Sequence, residues 1–159
     1  MFAGVLPIST HNDTIYFLLG REIYVEGWND SNKWSEFGGK IESHNIVYEA
    51  ARELYEESMG IFGTIQDTIY NLIPVDIPHA MGYFLLWVNY DPMLPMYYNN
   101  IYKYLTSCKQ TCPEGYMEKS EIQWFSLNQL KYLIKTQSQH FRPYFVKTIH
   151  LIFKYLDEY

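Results

Sequence analysis

Phe37-Gly38-Gly39-Lys40-Ile41-Glu42, followed further along by Arg52-Glu53-Leu54-Tyr55-Glu56-Glu57, forms the segment on which the reading of this chain turns. The first half reads as a short strand with two glycines inside it, and glycines in a strand let other groups approach the backbone closely. The second half belongs to the best helix in the sequence, Val47 to Ser58, with Val47, Ala50, Ala51 and Leu54 as its apolar stripe and Gly60 as its stop. A helix turns about 100° per residue. Glu53, Glu56 and Glu57 therefore share a face, and Glu49 extends that row by a turn. Like charges at these spacings destabilise a helix by roughly 0.2–0.5 kcal/mol per pair. A hard divalent cation offsets the repulsion, because it prefers oxygen ligands. On its own, Glu-x-x-Glu-Glu reads first as a solvated acidic face. A glycine-bearing strand leading by a short loop into that face favours a site.

Outward from this segment, Phe2 to Ile8 and Thr14 to Leu19 are apolar and β-prone, separated by the turn-forming run Ser9 to Asp13. A polar loop carrying Trp28, Asp30 and Asn32 precedes the glycine strand. Beyond the helix, Ile69 to Val75 and Met81 to Tyr90 read as strands, the second central. Asp91 to Met117 is irregular, with Pro92, Pro95 and Pro113 around a short helix from Asn99 to Cys108. Ile122 to Ser126 is a last strand, and Leu127 to Thr136 and Phe141 to Tyr159 are amphipathic helices. Strands first with helices interspersed predict an α/β fold of the α+β type, an α/β/α sandwich. Residues 1–159 read as one domain, without repeats or linkers.

The net charge of −6 gives no footprint for tracking a nucleic-acid backbone, so no DNA partner is expected. It suits a protein that meets polyanions through bound cations. Lys131, Lys135, Arg142 and Lys147 read as ordinary solvated helix faces. Only a folded convergence of Lys103, Lys109, Lys119 and Arg142 would build a basic groove. Cys108 and Cys112 are read as reduced thiols; their spacing suits one helical turn, but two thiols alone make no zinc site. No apolar run approaches the ~20 residues of a membrane span, and no signal peptide is legible. The expectation is an intracellular, soluble, cytoplasmic protein.

The segment resembles the box of the Nudix hydrolase family: Gly, five residues, Glu, seven residues, then Arg-Glu-apolar-x-Glu-Glu. Gly38-Gly39-Lys40-Ile41-Glu42 and Ala50 through Glu57 match the parts that bear metal and arginine. Phe2 to Leu19 resembles the family's opening strands, and Glu118 through Leu127 its acidic loop and closing strand. Two positions depart: the box glutamate is His44, and the box glycine after the helix is Met59, with Gly60 one place late. Glu42 and His44 are the substitutes for the missing glutamate.

The resemblance implies a Nudix-like α/β/α sandwich with a mixed sheet and a Mg²⁺ (or Mn²⁺) cofactor. Glu53, Glu56 and Glu57, with the backbone carbonyl of Gly38, would be metal ligands. Arg52 would hold a helix carboxylate through a bidentate pair, and Glu53 or Glu57 would double as general base. Glu118 would add a further metal-binding or basic carboxylate, with Glu114 and Glu121 as rivals. Trp34, Gly39 and Lys40 would contact substrate. Trp28, Trp34, Tyr83 and Phe84 are candidates for stacking on a base, although each also reads as ordinary packing. His79 and His140 carry no ligand spacing. The implied activity is cleavage of a pyrophosphate bond in a nucleoside diphosphate linked to another moiety, with a nucleotide-like small molecule as substrate. Removal of an RNA cap is the alternative enzyme reading. A metal-free binding or regulatory module is the non-catalytic one, and the intact Arg52, Glu53, Glu56 and Glu57 argue against it.

Overall fold

Strand β1 (Phe2–His11) organises the sheet of the computed structural model, which describes residues 1–108, 112, 113 and 115–158. Asn12 and Asp13 both take positive φ (49° and 61°), the two-residue turn that matches strand twist, and return the chain into β2 (Thr14–Glu22). The far half of β1 pairs antiparallel with β2, from Ile8↔Phe17 to His11↔Thr14. Its near half pairs antiparallel with β4 (Phe37–Lys40), from Val5↔Phe37 to Phe2↔Lys40. β3 (Trp34–Ser35) lies instead on β2, through Gly20↔Ser35. Glu36 thus marks the point where the chain crosses from one partner strand to the other. β5 (Leu72–Pro74) is antiparallel to β6 (Gly82–Trp87), and β6 runs parallel to β1. β7 (Lys119–Ser126) runs antiparallel along β2. The sheet is mixed, as expected.

Because successive strand residues point to opposite faces, β1 feeds two cores. Leu6 and Ile8 pack with Phe145, Ile149 and Ile152 of α5 (Pro143–Asp157) and with Leu130 of α4 (Leu127–Thr136). Ala3 and Val5 pack with Ala50 and Leu54 of α1 (Ile46–Glu57). The result is a helix layer on each side of the sheet, an α/β/α sandwich.

Several boundaries differ from the sequence reading. Ile69 ends α2 (Ile65–Ile69), capped by the Thr64 side chain, so the strand begins only at Leu72. α3 (Leu94–Ser107) is longer than expected, since Pro95 sits in its first turn, where proline costs no hydrogen bond. Val47 is exposed in the first turn of α1 and is not part of the buried stripe. The end of α1 uses two left-handed residues, Met59 (φ 54°) and Gly60 (φ 75°), the Gly60 amide closing on the Tyr55 carbonyl. The last helix starts at Pro143, after a 3-10 turn at Ser138–His140. Cys108 caps α3, and it and Cys112 are free thiols. Among the described residues no helix is long and apolar enough to cross a membrane.

Candidate active site

The Asn45 side chain accepts from the Tyr48 amide and starts α1, fixing where its carboxylates fall. Arg52 is their hub. Its Nη2 donates to Glu49 Oε2 at 2.7 Å and to Glu53 Oε1 at 2.9 Å, and Nη1 donates to both oxygens of Glu56 at 3.0 Å. The contact with Glu56 is one guanidinium nitrogen shared between its two carboxylate oxygens, not a two-nitrogen fork. The Arg52 bond holds Glu49 below the usual carboxylate range. Burial lowers the Arg52 guanidinium, but Glu49 and Glu56 more than compensate and raise it.

Glu53, Glu56 and Glu118 line one cavity of about 420 Å³ together with Gly38, Gly39, Lys40, Glu42, Arg52 and Gly115. A Cβ at Gly39 would lie 2.7 Å from the Glu53 carboxyl, so only glycine lets this carboxylate reach β4. Burial pushes Glu53 up to about 7, Arg52 opposes, and the charges of Glu56 and Glu118 push the same way as burial. Glu118 is also raised, by burial first and then by Glu22 and Glu56. This is an all-oxygen, charge-crowded donor set of the kind a hard cation takes. Among the described residues, no three such side chains stand in a ligand cluster as they are placed, because Arg52 draws Glu49, Glu53 and Glu56 to itself.

Glu57 stands apart from the other two. Ala50, Leu54 and Glu57 follow i, i+4, i+7 spacing, the buried stripe of α1, so Glu57 is only 2% exposed. It accepts the Gly38 amide at 2.5 Å and lies 3.8 Å from Lys119 Nζ. Burial pushes it up to about 8 against the pull of Lys119. The expected shared face is thus split, with Glu53 and Glu56 on the cavity and Glu57 beneath β4.

Around Glu57 lies a buried network that no local pattern announces. Lys119 Nζ donates to Glu22 at 2.6 Å, Ser35 Oγ at 3.0 Å and the Glu36 carbonyl at 3.1 Å. The Tyr98 hydroxyl contacts the backbone carbonyls of Glu57 and Lys119. Arg142, read from sequence as solvated, binds Glu22 at 3.3 Å and Asp30 at 3.1 Å. These partners come from β2, β3, β7 and the start of α5, so spacing along one element cannot reveal them. Lys119 and Arg142 are thereby neutralised, and the basic groove considered above does not form from them; Lys109 lies outside the described residues.

A second cavity, of about 530 Å³, opens beside the first; Gly38, Gly39 and Lys40 line both. Met1, Phe2, Glu36, His79, Arg142 and Tyr144 complete it. His79, which carries no ligand spacing, is therefore cavity-lining; its ring also contacts Thr148 Oγ1 at 2.7 Å. Trp34 is not on either cavity: it packs edge-on against Phe125 at 5.2 Å with the Arg21 guanidinium over its ring at 5.8 Å. Tyr83 and Phe84 are core residues, and Trp28 lies under Arg142. Glu121 pairs with Arg21 on the surface, Glu42 sits 3.8 Å from Arg52, and Glu114 lies outside the described residues.

No family model matches the sequence, and no curated protein matches it. Solved structures do match the fold. An Ap4A hydrolase from C. elegans in a binary complex superimposes over 100% of both chains at 15% identity and a TM-score of 0.52. A mutT/nudix family protein from Listeria innocua covers 98% of this chain and 91% of its own at 18% identity and a TM-score of 0.52. This chain has the Nudix fold. A bifunctional NMN adenylyltransferase/ADP ribose pyrophosphatase from Francisella tularensis, complexed with AMP and a Mn ion, shares the Nudix fold at 17% identity and a TM-score of 0.55. That match covers 96% of this chain, which spans 41% of the larger protein's length.

Proposed function

We propose that this chain is a divalent-metal-dependent pyrophosphohydrolase acting on a nucleoside diphosphate linked to another moiety. The observation that carries the reading is the carboxylate-lined cavity of Glu53, Glu56 and Glu118, which meets a ring-lined cavity across the glycines of β4. Glu53, Glu56 and Glu118 with the Gly38 carbonyl, and Glu57 from beneath it, would hold Mg²⁺ or Mn²⁺. When bound, such an ion neutralises phosphate oxygens and lowers the pKa of water. Arg52 fixes the rotamers of Glu53 and Glu56 through the bonds it donates to both. Glu53 or Glu57 would take the proton of the attacking water. Lys40, at the junction of the two cavities, offers its ammonium to the phosphates. Water attacks phosphorus directly, so no covalent intermediate is required. The AMP and Mn ion of the Francisella tularensis structure and the Ap4A hydrolase neighbour support a nucleotide substrate. With Lys119 buried and Arg142 paired, capped RNA is the weaker reading.

The test is a screen of purified protein with Mg²⁺ or Mn²⁺ against nucleoside triphosphates, sugar nucleotides, dinucleoside polyphosphates and capped RNA. Turnover of a free nucleotide that a chelator abolishes is the expected result. No turnover of any of them with either metal would sink the hydrolase reading.

A further inference from the structure

Tyr98 is fully buried (0% exposed) and lines neither cavity, yet its hydroxyl touches both segments that carry the acidic side chains. Leu94, Tyr98, Ile101, Tyr102 and Leu105 recur at helical spacing and turn one face of α3 onto the core that holds Ala50 and Leu54 of α1. α3 also packs along β7. That docking brings the Tyr98 hydroxyl to 2.6 Å from the Lys119 carbonyl oxygen and 3.1 Å from the Glu57 carbonyl oxygen. A phenol carries one hydrogen, so it donates chiefly to the nearer Lys119 oxygen and shares that hydrogen with Glu57. The last four carbonyls of a helix lie beyond the reach of its own turns. In α1, those of Leu54, Tyr55 and Glu56 accept from the amides of Ser58, Gly60 and Met59, and that of Glu57 takes the Tyr98 hydroxyl. Lys119 stands opposite Glu22, beside the register shift of the β2–β7 ladder. One hydroxyl thus bridges a helix end and an irregular strand start, two places where an element constrains its own backbone least.

We propose that Tyr98 is a positioning residue for the divalent-metal site, its hydroxyl fixing the separation between the α1 carboxylates and Glu118. The proposal rests on the metal-dependent hydrolase reading for the ion, and adds a residue that touches neither ion nor substrate. Glu57 supplies one of the two carbonyls, with Glu53 and Glu56 on the same helix. Glu118 is the chain neighbour of Lys119, which supplies the other. Mg²⁺ requires oxygen ligands at about 2.0–2.1 Å in a near-octahedral array. Separate elements meet that tolerance only when their backbones are held relative to each other. Lys119 approaches Glu57 through its ammonium at 3.8 Å; Tyr98 joins the same two residues through their backbones, without a charge. Removing the hydroxyl takes this donor from two buried carbonyls, a state that proteins avoid, and lets the helix end and the strand start shift apart.

The experiment compares Mn²⁺ binding by wild type and Tyr98→Phe, read from the paramagnetic resonance of the free ion, with no nucleotide present. Phe keeps the ring and removes only the hydroxyl. Tyr98→Phe should bind Mn²⁺ about 10- to 100-fold more weakly, the usual effect of deleting an outer group that orients metal ligands. Thr68→Val is the stability control. It deletes a buried hydroxyl that donates to the Thr64 carbonyl at α2, and should lower Tm without changing Mn²⁺ affinity. Equal Mn²⁺ affinity in wild type and Tyr98→Phe, an equal loss in Thr68→Val, or no binding by wild type overturns the proposal. Wild type alone gives a second reading that stands even if Tyr98→Phe does not fold. Coupling between sites is reciprocal, so Mg²⁺ should slow exchange of the Tyr98 hydroxyl proton followed by NMR. An unchanged exchange rate overturns the proposal as well. Weakened Mn²⁺ binding by Tyr98→Phe in a protein that turns over no nucleotide keeps the positioning role and removes the hydrolase. Chelator-sensitive turnover with unchanged Mn²⁺ affinity does the reverse.

Discussion

Lys119 and Glu22 lie 97 residues apart in the chain, yet their ammonium and carboxylate meet at 2.6 Å in the protein interior, 1% and 4% exposed. The pair ties the start of β7 to the end of β2, next to the register shift at Arg21 and Glu22. Gly20 makes room for it, since a Cβ there would lie 2.8 Å from the Lys119 chain. Through Ser35, the Glu36 carbonyl and Glu57 it also braces β3, β4 and α1 from below. Removing Lys119 leaves Glu22 with Arg142 alone and Glu57 without its cation, and breaking a buried pair costs about 3–5 kcal/mol. Lys119→Met should therefore lower Tm by roughly 6–20 °C. An unchanged melting curve would mean the network is incidental to stability.

Mg²⁺ should raise the Tm of the wild type, because a ligand that binds only the folded state stabilises it by mass action. Glu53 lines the acidic cavity, so the shift should shrink strongly in Glu53→Gln. Scanning calorimetry at matched Mg²⁺ concentrations reads this directly. Equal shifts in the two proteins would place the cation elsewhere.

Arg52→Ala should depress kcat by about 10- to 100-fold, the usual effect of losing a group that orients ligands. The mechanism is release of Glu53 and Glu56 from their donor, not loss of a substrate contact. A rise confined to KM, with kcat intact, contradicts that role.

Metal-free protein should lose stability as pH rises from about 4.5 to about 8. Glu53 and Glu57 have an ordinary value of 4.5 but are raised in the fold to about 7 and about 8. Over that window the folded state binds protons that the unfolded state has released, so the unfolding free energy falls with pH. Glu57→Gln should flatten the slope, since its amide does not titrate. Tm measured in a chelator from pH 5 to pH 8 checks the sign; a flat or rising curve refutes it.

Substrate size can be read from salt. A free nucleotide held by a metal cluster and a pocket should show a KM that responds weakly to salt. Capped RNA held by several basic side chains would lose affinity steeply, with a slope that counts the neutralised phosphates. With a net charge of −6, the shallow slope is expected. Strong preference for long capped RNA, lost between low and moderate salt, would reverse the choice of substrate.

The sequence by itself determined what short-range geometry controls. The turn between β1 and β2, the start and end of α4, the glycines of β4 and the Arg52, Glu53, Glu56 register all follow from spacing and local residue type, and the structure has them in place. The Nudix resemblance carried the sandwich and the mixed sheet. Only the tertiary structure decided which of the glutamates face the cavity, because burial of a helix stripe depends on what packs against it. Glu57 reads like its neighbours until β4 and Lys119 come down on it. Trp34 reads like a stacking ring until β3 pairs with β2 and turns it onto Phe125. Glu36, His79 and Arg142 are scattered through the chain and line one cavity only when sheet pairing and the docking of α5 bring the start of β4, the approach to β6 and the helix start together. Periodicity reports a residue's own element. Its partners across the sheet are set by pairing and packing between distant segments, which leave no mark on local spacing.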